Sequence, residues 1–268
     1  MSRERNVKVN IISVGAGTAG CGMRRSVTRS APARDAVGGV STIDKDRIAE
    51  HNIPYCTEYA GHTGEPKSLE NAALWREALP QRVPVDGIHG SFEDVDMHAI
   101  IAEATRLGMC CVVHSALDDW NSRSAVVQDT RDAAARVDGA RVAIVQTGLD
   151  RGRAVVDCFD GRDFEATCNI CGLSLPLPMV APCHVATPGG SLRGDLRAES
   201  EAAGDVFVEI LLDFAAGRGD RWMSTKTHLH RDGAGGGFRR MKVSRARADD
   251  CMGAHTPCGP MSFEALTA

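Results

Sequence analysis

Apolar residues fall along this chain in short, nearly unbroken runs separated by longer stretches of mixed periodicity. VKVNIISV (7–14), MCCVVHSA (109–116) and ARVAIVQTG (140–148) are rich in β-branched residues and too short for a long helix. They predict strands buried on both faces. GGVSTIDKD (38–46), RVPVDGIHG (82–90) and RAVVDCFDG (153–161) predict three more. Between them, helical spacing predicts helices from Thr18 to about Ser30, Pro66 to Leu79, over DVDMHAIIAEATRLG (94–108), and from Trp120 to Val137. Strands alternating with helices imply a doubly wound, mainly parallel sheet.

The pattern changes beyond residue 161. From Gly172 to about Arg197 the chain is rich in proline, glycine and leucine and reads as a long crossing loop, of a length that in compact domains is usually functional or mobile. AESEAAGDVFVEILLDFAAG (198–217) is an amphipathic helix stopped by Gly217. The tail from Arg221 to Cys251 reads as two antiparallel strands around a glycine-rich turn. The expected organisation is one domain: a nucleotide-binding core over 1–167, then a C-terminal part over 168–268 with the crossing loop, the helix and a β-hairpin. No internal repeat stands out.

The chain of 268 residues carries a formal net charge of -4, which gives no nucleic-acid footprint. No apolar run approaches the ~20 residues needed to span a bilayer. The apolar run near the start is short and leads into a glycine turn, so it reads as a first strand, not a secretion signal. A cytoplasmic location is expected. Ten cysteines are many for such a chain. In a reducing compartment, CNIC (168–171) and the later CMGAHTPCG (251–259) favour a zinc site over disulfides. Cys168 and Cys171 can clasp one edge of a tetrahedral ion, with Cys258 and either Cys251 or His255 on the other. Vicinal Cys110 and Cys111 read as small buried side chains.

The candidate chemistry starts at VGAGTAGCG (14–22), between the first strand and the first helix. Gly15, Gly17 and Gly20 fit a glycine spacing that brings backbone N–H groups and a helix N-terminus to a phosphate. Asp44, at the end of the second strand, can accept hydrogen bonds from ribose hydroxyls. Those features alone also fit nicotinamide dehydrogenases. A less common set lies downstream of them in the chain: Asp46, Asn52, GEPK with Lys67, and ALDDWNSR with Asp118 and Arg123.

In this order the motifs resemble the ThiF/MoeB/HesA family, the adenylating domain shared with ubiquitin-activating enzymes, across residues 9–259. Small plasmid-linked bacterial ThiF relatives, the PRTRC-system subgroup, are the most similar. The resemblance implies a Rossmann-like fold with a C-terminal antiparallel extension and a zinc-pinned end. It implies ATP and Mg²⁺ as well as Zn²⁺, a homodimer, and a small ubiquitin-like or sulfur-carrier protein as substrate, whose C-terminal carboxylate attacks the α-phosphate of ATP. By position in the motifs, Asp44 holds the ribose, Lys67 neutralises the phosphates and Asp118 binds Mg²⁺. Asn52 and Arg123 bond the polyphosphate or orient its other ligands. Cys183, beside His184 in the crossing loop, would take an activated acyl group or join a sulfur-transfer step.

Plainer roles stand beside these. Asp44 could cap a loop, Lys67 could be solvated surface, and Asp118 with Asp119 could cap the helix from Trp120. Arg123 could pair with Asp119 one turn away. Cys183 could be a plain loop cysteine.

The chain also departs from the family pattern. Tyr55 stands where an arginine normally covers the γ-phosphate, and Asp119 where asparagine is usual. Only Arg3 and Arg5 precede the first strand, in place of the helix that often lends an arginine across a dimer. One lost charge-assisted contact costs roughly 2–4 kcal/mol of transition-state stabilisation, unless Arg24, Arg25 or a partner compensates. A nucleotide- or partner-binding module without turnover is therefore the second expectation, and a nicotinamide-dependent oxidoreductase the third.

Overall fold

The structure is a computed structural model that describes residues 7–150, 152–161, 196–223, 225–232 and 237–244. The Cys168, Cys171, Cys251, Cys258 and His255 set expected for zinc, Cys183 of the crossing loop, and the 167/168 division all lie outside the described residues.

Eight strands form one sheet in the order β3-β2-β1-β4-β5-β6-β7-β8. β1 (Val9–Val14), β2 (Val37–Asp44), β3 (Val85–His89), β4 (Cys110–Ser115) and β5 (Val142–Asp150) run parallel. β6 (Arg153–Asp160), β7 (Thr225–Arg231) and β8 (Phe238–Ser244) extend it antiparallel. The antiparallel part thus begins at β5/β6, ahead of the tail. Asp150 pairs with Arg153, leaving a two-residue connection in which Gly152 takes φ +72. A glycine in a turn that tight is a hairpin signal.

Helices cover both faces. α1 (Thr18–Arg29), α3 (Lys67–Ala78) and α6 (Leu196–Ala215) pack on the face of Ile11, Val112, Val145 and Val156, with Trp75, Phe207, Ile210 and Phe214 filling the layer. α4 (Met97–Arg106) and α5 (Trp120–Ala135) pack on the face of Ile12, Val14, Val113 and Val142. All six residues of β1 are buried, as central position and double cover require. Cys110 and Cys111 are both buried on β4, as expected.

The expected helices form within one to three residues of the expected ends. One further element has no counterpart among them: α2 (Ala31–Ala36) follows α1, with Ser30 as its N-cap accepting from the Ala33 N–H. Six residues are too few to show a period, although the Ser-Ala-Pro start is a cap signature.

α1 and α6 cross at unusually short range. A Cβ on Gly22 would lie 2.5 Å from the Ser200 carbonyl oxygen, and one on Gly204 2.6 Å from that of Gly22. Two glycines let the backbones touch, and this contact seats α1, and the turn that precedes it, on the sheet. Among the described residues, no helix is long and apolar enough to cross a membrane.

Candidate nucleotide site

Strand order reverses direction between β1 and β4, the switch point at which open α/β sheets form a ligand crevice at the carboxyl ends of their strands. The glycine turn leaves β1 at this point. Gly15 takes φ +97, and a Cβ on it would lie 2.9 Å from the Ala116 carbonyl oxygen, so the turn rests directly on the exit of β4. A Cβ on Gly20 would lie 2.3 Å from the Gly15 oxygen, which closes the turn against the first turn of α1. Around Gly17 there is open space, and as N-cap of α1 it supplies no side-chain bond to the helix N–H groups. Among the described residues no side-chain cap is found on this helix start, and a helix N-terminus with free N–H groups is the arrangement that receives an anion.

The conformation of the turn is fixed at both ends of Ala16. Its N–H donates to Asp44 Oδ2 at 2.7 Å, and its carbonyl accepts from the Tyr59 hydroxyl at 2.7 Å. Asp44 Oδ1 accepts from the Asp46 N–H at 2.8 Å. Burial pushes the Asp44 carboxyl above its usual range, against the two backbone N–H bonds and the Lys67 charge that favour the carboxylate. The loop-capping alternative is therefore real, and the cap is on the glycine turn itself. The same half-buried carboxylate still borders the crevice.

Lys67 opens α3. Its N–H donates to the Asp46 carbonyl at 3.0 Å and its Nζ lies 3.1 Å from Asp46 Oδ2. It is buried, not a solvated surface lysine. The exposed Asp46 carboxylate holds the ammonium at the side of the crevice bounded by Asp44. Tyr59 is fully buried, bonded to the Ala16 carbonyl and 3.5 Å from the Lys67 carbonyl, so it ties the glycine turn to the start of α3. No sequence motif marks it.

From the other side, β4 ends at Ser115, and Asp118 is exposed three residues on, two beyond the alanine that touches Gly15. A hard, solvated carboxylate at that point suits Mg²⁺. Asp119 is the N-cap of α5, accepting from the Ser122 N–H at 2.8 Å. Arg123 does not pair with its carboxylate. Its guanidinium turns inward and donates to the carbonyls of Leu117 at 2.6 Å and Thr147 at 3.0 Å, bracing the β4–α5 loop. Asn52 likewise spends its Oδ1 on the Ala49 N–H at 2.9 Å. Both act in loop geometry in this state.

Tyr55 is buried with Cys21, Ile48, Cys56 and Tyr59, so the residue in the arginine position adds to packing and brings no charge. Arg24 and Arg25 do not replace it. Both are paired with Glu58, at 2.6 and 3.2 Å.

No family model and no curated protein matches the sequence. Solved structures do. E. coli MccB with ATP superposes at a TM-score of 0.60, with 12% identity, over 96% of this chain and 67% of that one. The microcin C7 biosynthetic enzyme MccB in complex with N-formylated MccA gives 0.59, 12%, 96% and 68%. PaaA gives 0.57, 12%, 90% and 65%. The fold is ThiF-like. At these identities the likeness concerns the fold, and the chain spans about two thirds of the length of these ThiF-like neighbours. The turn of Gly15, Gly17 and Gly20 is bonded to Asp44 through the Ala16 N–H and rests on Ala116, so the Asp44–Lys67 segment and the Ala116–Asp119 loop both start beside it at the carboxyl end of the sheet.

Proposed function

We propose that the protein activates a carboxylate by adenylation, with ATP–Mg²⁺ lying on the glycine turn and the C-terminus of a small protein or peptide as the acceptor. The carrying observation is the Ala16 peptide, clamped by Asp44 and Tyr59 beside a helix N-terminus that its N-cap Gly17 leaves without a side-chain bond, with Lys67 in the chain after β2 and Asp118 in the chain after β4, the strands that flank β1. A carboxylate oxygen attacks the α-phosphorus and pyrophosphate leaves. Two anions must meet, so the site needs positioning and positive charge more than a base. The N–H groups of α1 and the Lys67 ammonium would supply that charge, Asp118 would hold Mg²⁺, and Asp44 would add a ribose bond to its grip on the turn.

MccB is described with ATP and with MccA, and this supports ATP and a small peptide or protein partner. A ubiquitin-like or sulfur-carrier partner ending in glycine, a homodimer, a cytoplasmic location and the zinc clasp at Cys168, Cys171, Cys258 and Cys251 or His255 belong to the same proposal. Stoichiometric zinc in purified protein would support the clasp. Acyl transfer to Cys183 would come after adenylation, and Cys183→Ala would then spare the first step.

The test is ATP–pyrophosphate exchange dependent on a partner with a Gly-Gly end. ATP binding without exchange would favour the second reading, a nucleotide-binding module without turnover. Buried Tyr55 and the Glu58 pairs of Arg24 and Arg25 are the observations on its side. Preference for NADH over ATP–Mg²⁺ in a titration would overturn both.

A further inference from the structure

At the amino ends of the parallel strands, opposite the glycine turn, lies a recess of about 330 Å³ that adenylation chemistry does not use. Lys8 precedes β1, Val37 and Gly38 open β2, Pro84 precedes β3 and Met109 precedes β4, so neighbouring strands all contribute to it. Backbone bonds fix its floor. The Cys110 N–H donates to the Lys8 carbonyl at 3.1 Å, and the Val40 N–H to the Pro84 carbonyl at 3.0 Å. A Cβ on Gly38 would lie 2.5 Å from Met109 Sδ and 2.7 Å from Lys8 Cβ, so the bare backbone there lets those two side chains close on it.

Two properties of the lining point to a ligand. Val37, Val83, Pro84, Leu107 and Met109 give it apolar walls, and Leu107 is 53% exposed, which leaves apolar surface uncovered there. Lys8, Arg34 and Arg82 stand against a single acid, Asp35, a positive excess in a chain of net charge -4. The Lys8 ammonium bonds the Asp35 carbonyl. Among the described residues, the side chains of Arg34 and Arg82 have no hydrogen-bond or ion-pair partner, whereas Arg29 pairs with Asp205 and Arg106 with Glu103. Two guanidinium groups beside an apolar recess are thus left with their donors unspent.

We propose that this recess binds a small organic monoanion, a carboxylate on a short alkyl chain. The planar fork of an arginine matches a carboxylate with two parallel hydrogen bonds. Asp35 opposes a second negative charge, which favours a carboxylate over a phosphate monoester. The apolar walls take the chain, because each buried methylene adds to affinity. Ligand pockets span about 300–1,000 Å³, and this one stands at the lower end, so the chain is short. The recess lies at the other end of β1 and β2 from the glycine turn, so the site does not depend on the nucleotide reading.

The experiment titrates the full chain with octanoate, octanol, acetate and octyl phosphate by calorimetry and follows backbone amide shifts by NMR. The expected result is saturable octanoate binding at a single site, with shifts at Gly38 and Leu107. Octanol and acetate should each bind at least about tenfold more weakly, because one lacks the charge and the other the chain. Arg34→Gln and Arg82→Gln should each weaken octanoate about tenfold, the scale of one lost charged hydrogen bond. Their far-ultraviolet dichroism should match that of the unaltered chain. Absence of saturable binding, octanol or octyl phosphate matching octanoate, or full affinity in both arginine variants would overturn the inference. Shifts confined to residues 15–20 would also overturn it, because the octanoate carboxylate would then lie at the glycine turn. So would octanoate acting only by dispersing a dimer in sedimentation, which would make a second copy the occupant.

Discussion

The Asp44 carboxylate accepts the Ala16 N–H at 2.7 Å and so holds the glycine turn from the end of the neighbouring strand. β2 therefore shapes the turn through this side chain as well as through the Ile43 carbonyl, which accepts from the Gly15 N–H at 2.8 Å. Asp44→Asn keeps the size but loses the charge, and an amide can accept only on its oxygen. Hydrogen bonds to charged groups contribute about 1.5–3 kcal/mol, so ATP affinity should fall about 10- to 100-fold by calorimetry. Unchanged affinity would show that the turn holds its shape unaided.

Lys67 is set in place by Asp46 and is almost fully covered, so its charge is aimed, not diffuse. Lys67→Ala should lower pyrophosphate exchange by about a hundredfold or more, the scale of one lost transition-state contact. Thermal unfolding should move little, because the ion pair leaves the Asp46 side well exposed. Asp118→Asn should shift the Mg²⁺ concentration needed for half-maximal exchange upward. Exchange that is indifferent to both changes would remove these residues from the site.

The Gly22–Gly204 crossing makes a stability prediction. A methyl group on Gly22 meets the Ser200 carbonyl at 2.5 Å, which is backbone and cannot swing away. Gly22→Ala should cost about 1–3 kcal/mol in urea unfolding, typical of overpacking, and should weaken ATP binding in parallel because α1 carries the turn. A neutral outcome would mean that the helices slide apart freely.

His114, on β4, is 1% exposed, bonds Thr147 Oγ1 at 2.9 Å and meets the Phe207 ring edge-on. Burial, with Arg123 nearby, pushes its pKa from 6.5 down to about 3. In that window the unfolded chain takes up a proton and the native chain does not, so stability is complete above 6.5 and declines as pH falls toward 3. The loss is on the order of a few kcal/mol. His114→Gln should flatten this part of the stability–pH curve measured by urea titration. An unaltered slope would assign the acid sensitivity elsewhere.

Much of the fold is legible in the order of residues alone. β1, β4 and β5 are apolar at nearly every position because they are covered on both sides, and the glycine spacing after β1 marks the turn whatever surrounds it. Lys67 and Asp118 are legible through the order of their motifs. Other features have no local signal. Arg24 and Arg25 stand on α1 like solvated helix residues, yet a glutamate 34 and 33 positions later takes both charges. Arg123 lies one turn from Asp119 and bonds carbonyls instead, because burial leaves those acceptors closest. Tyr59 sits in an irregular loop, and only folding brings its hydroxyl to Ala16.

The sequence by itself determined which segments become strands and helices, that the sheet is wound on both faces, and that a glycine turn opening a helix comes after the first strand. Periodicity and glycine placement are local properties and survive without their surroundings. The tertiary structure alone decided which charges are already paired, that Asp44 serves the turn, and that the Tyr59 hydroxyl closes on it from behind. Those outcomes depend on distances between residues remote in the chain, and such distances exist only after the sheet has formed.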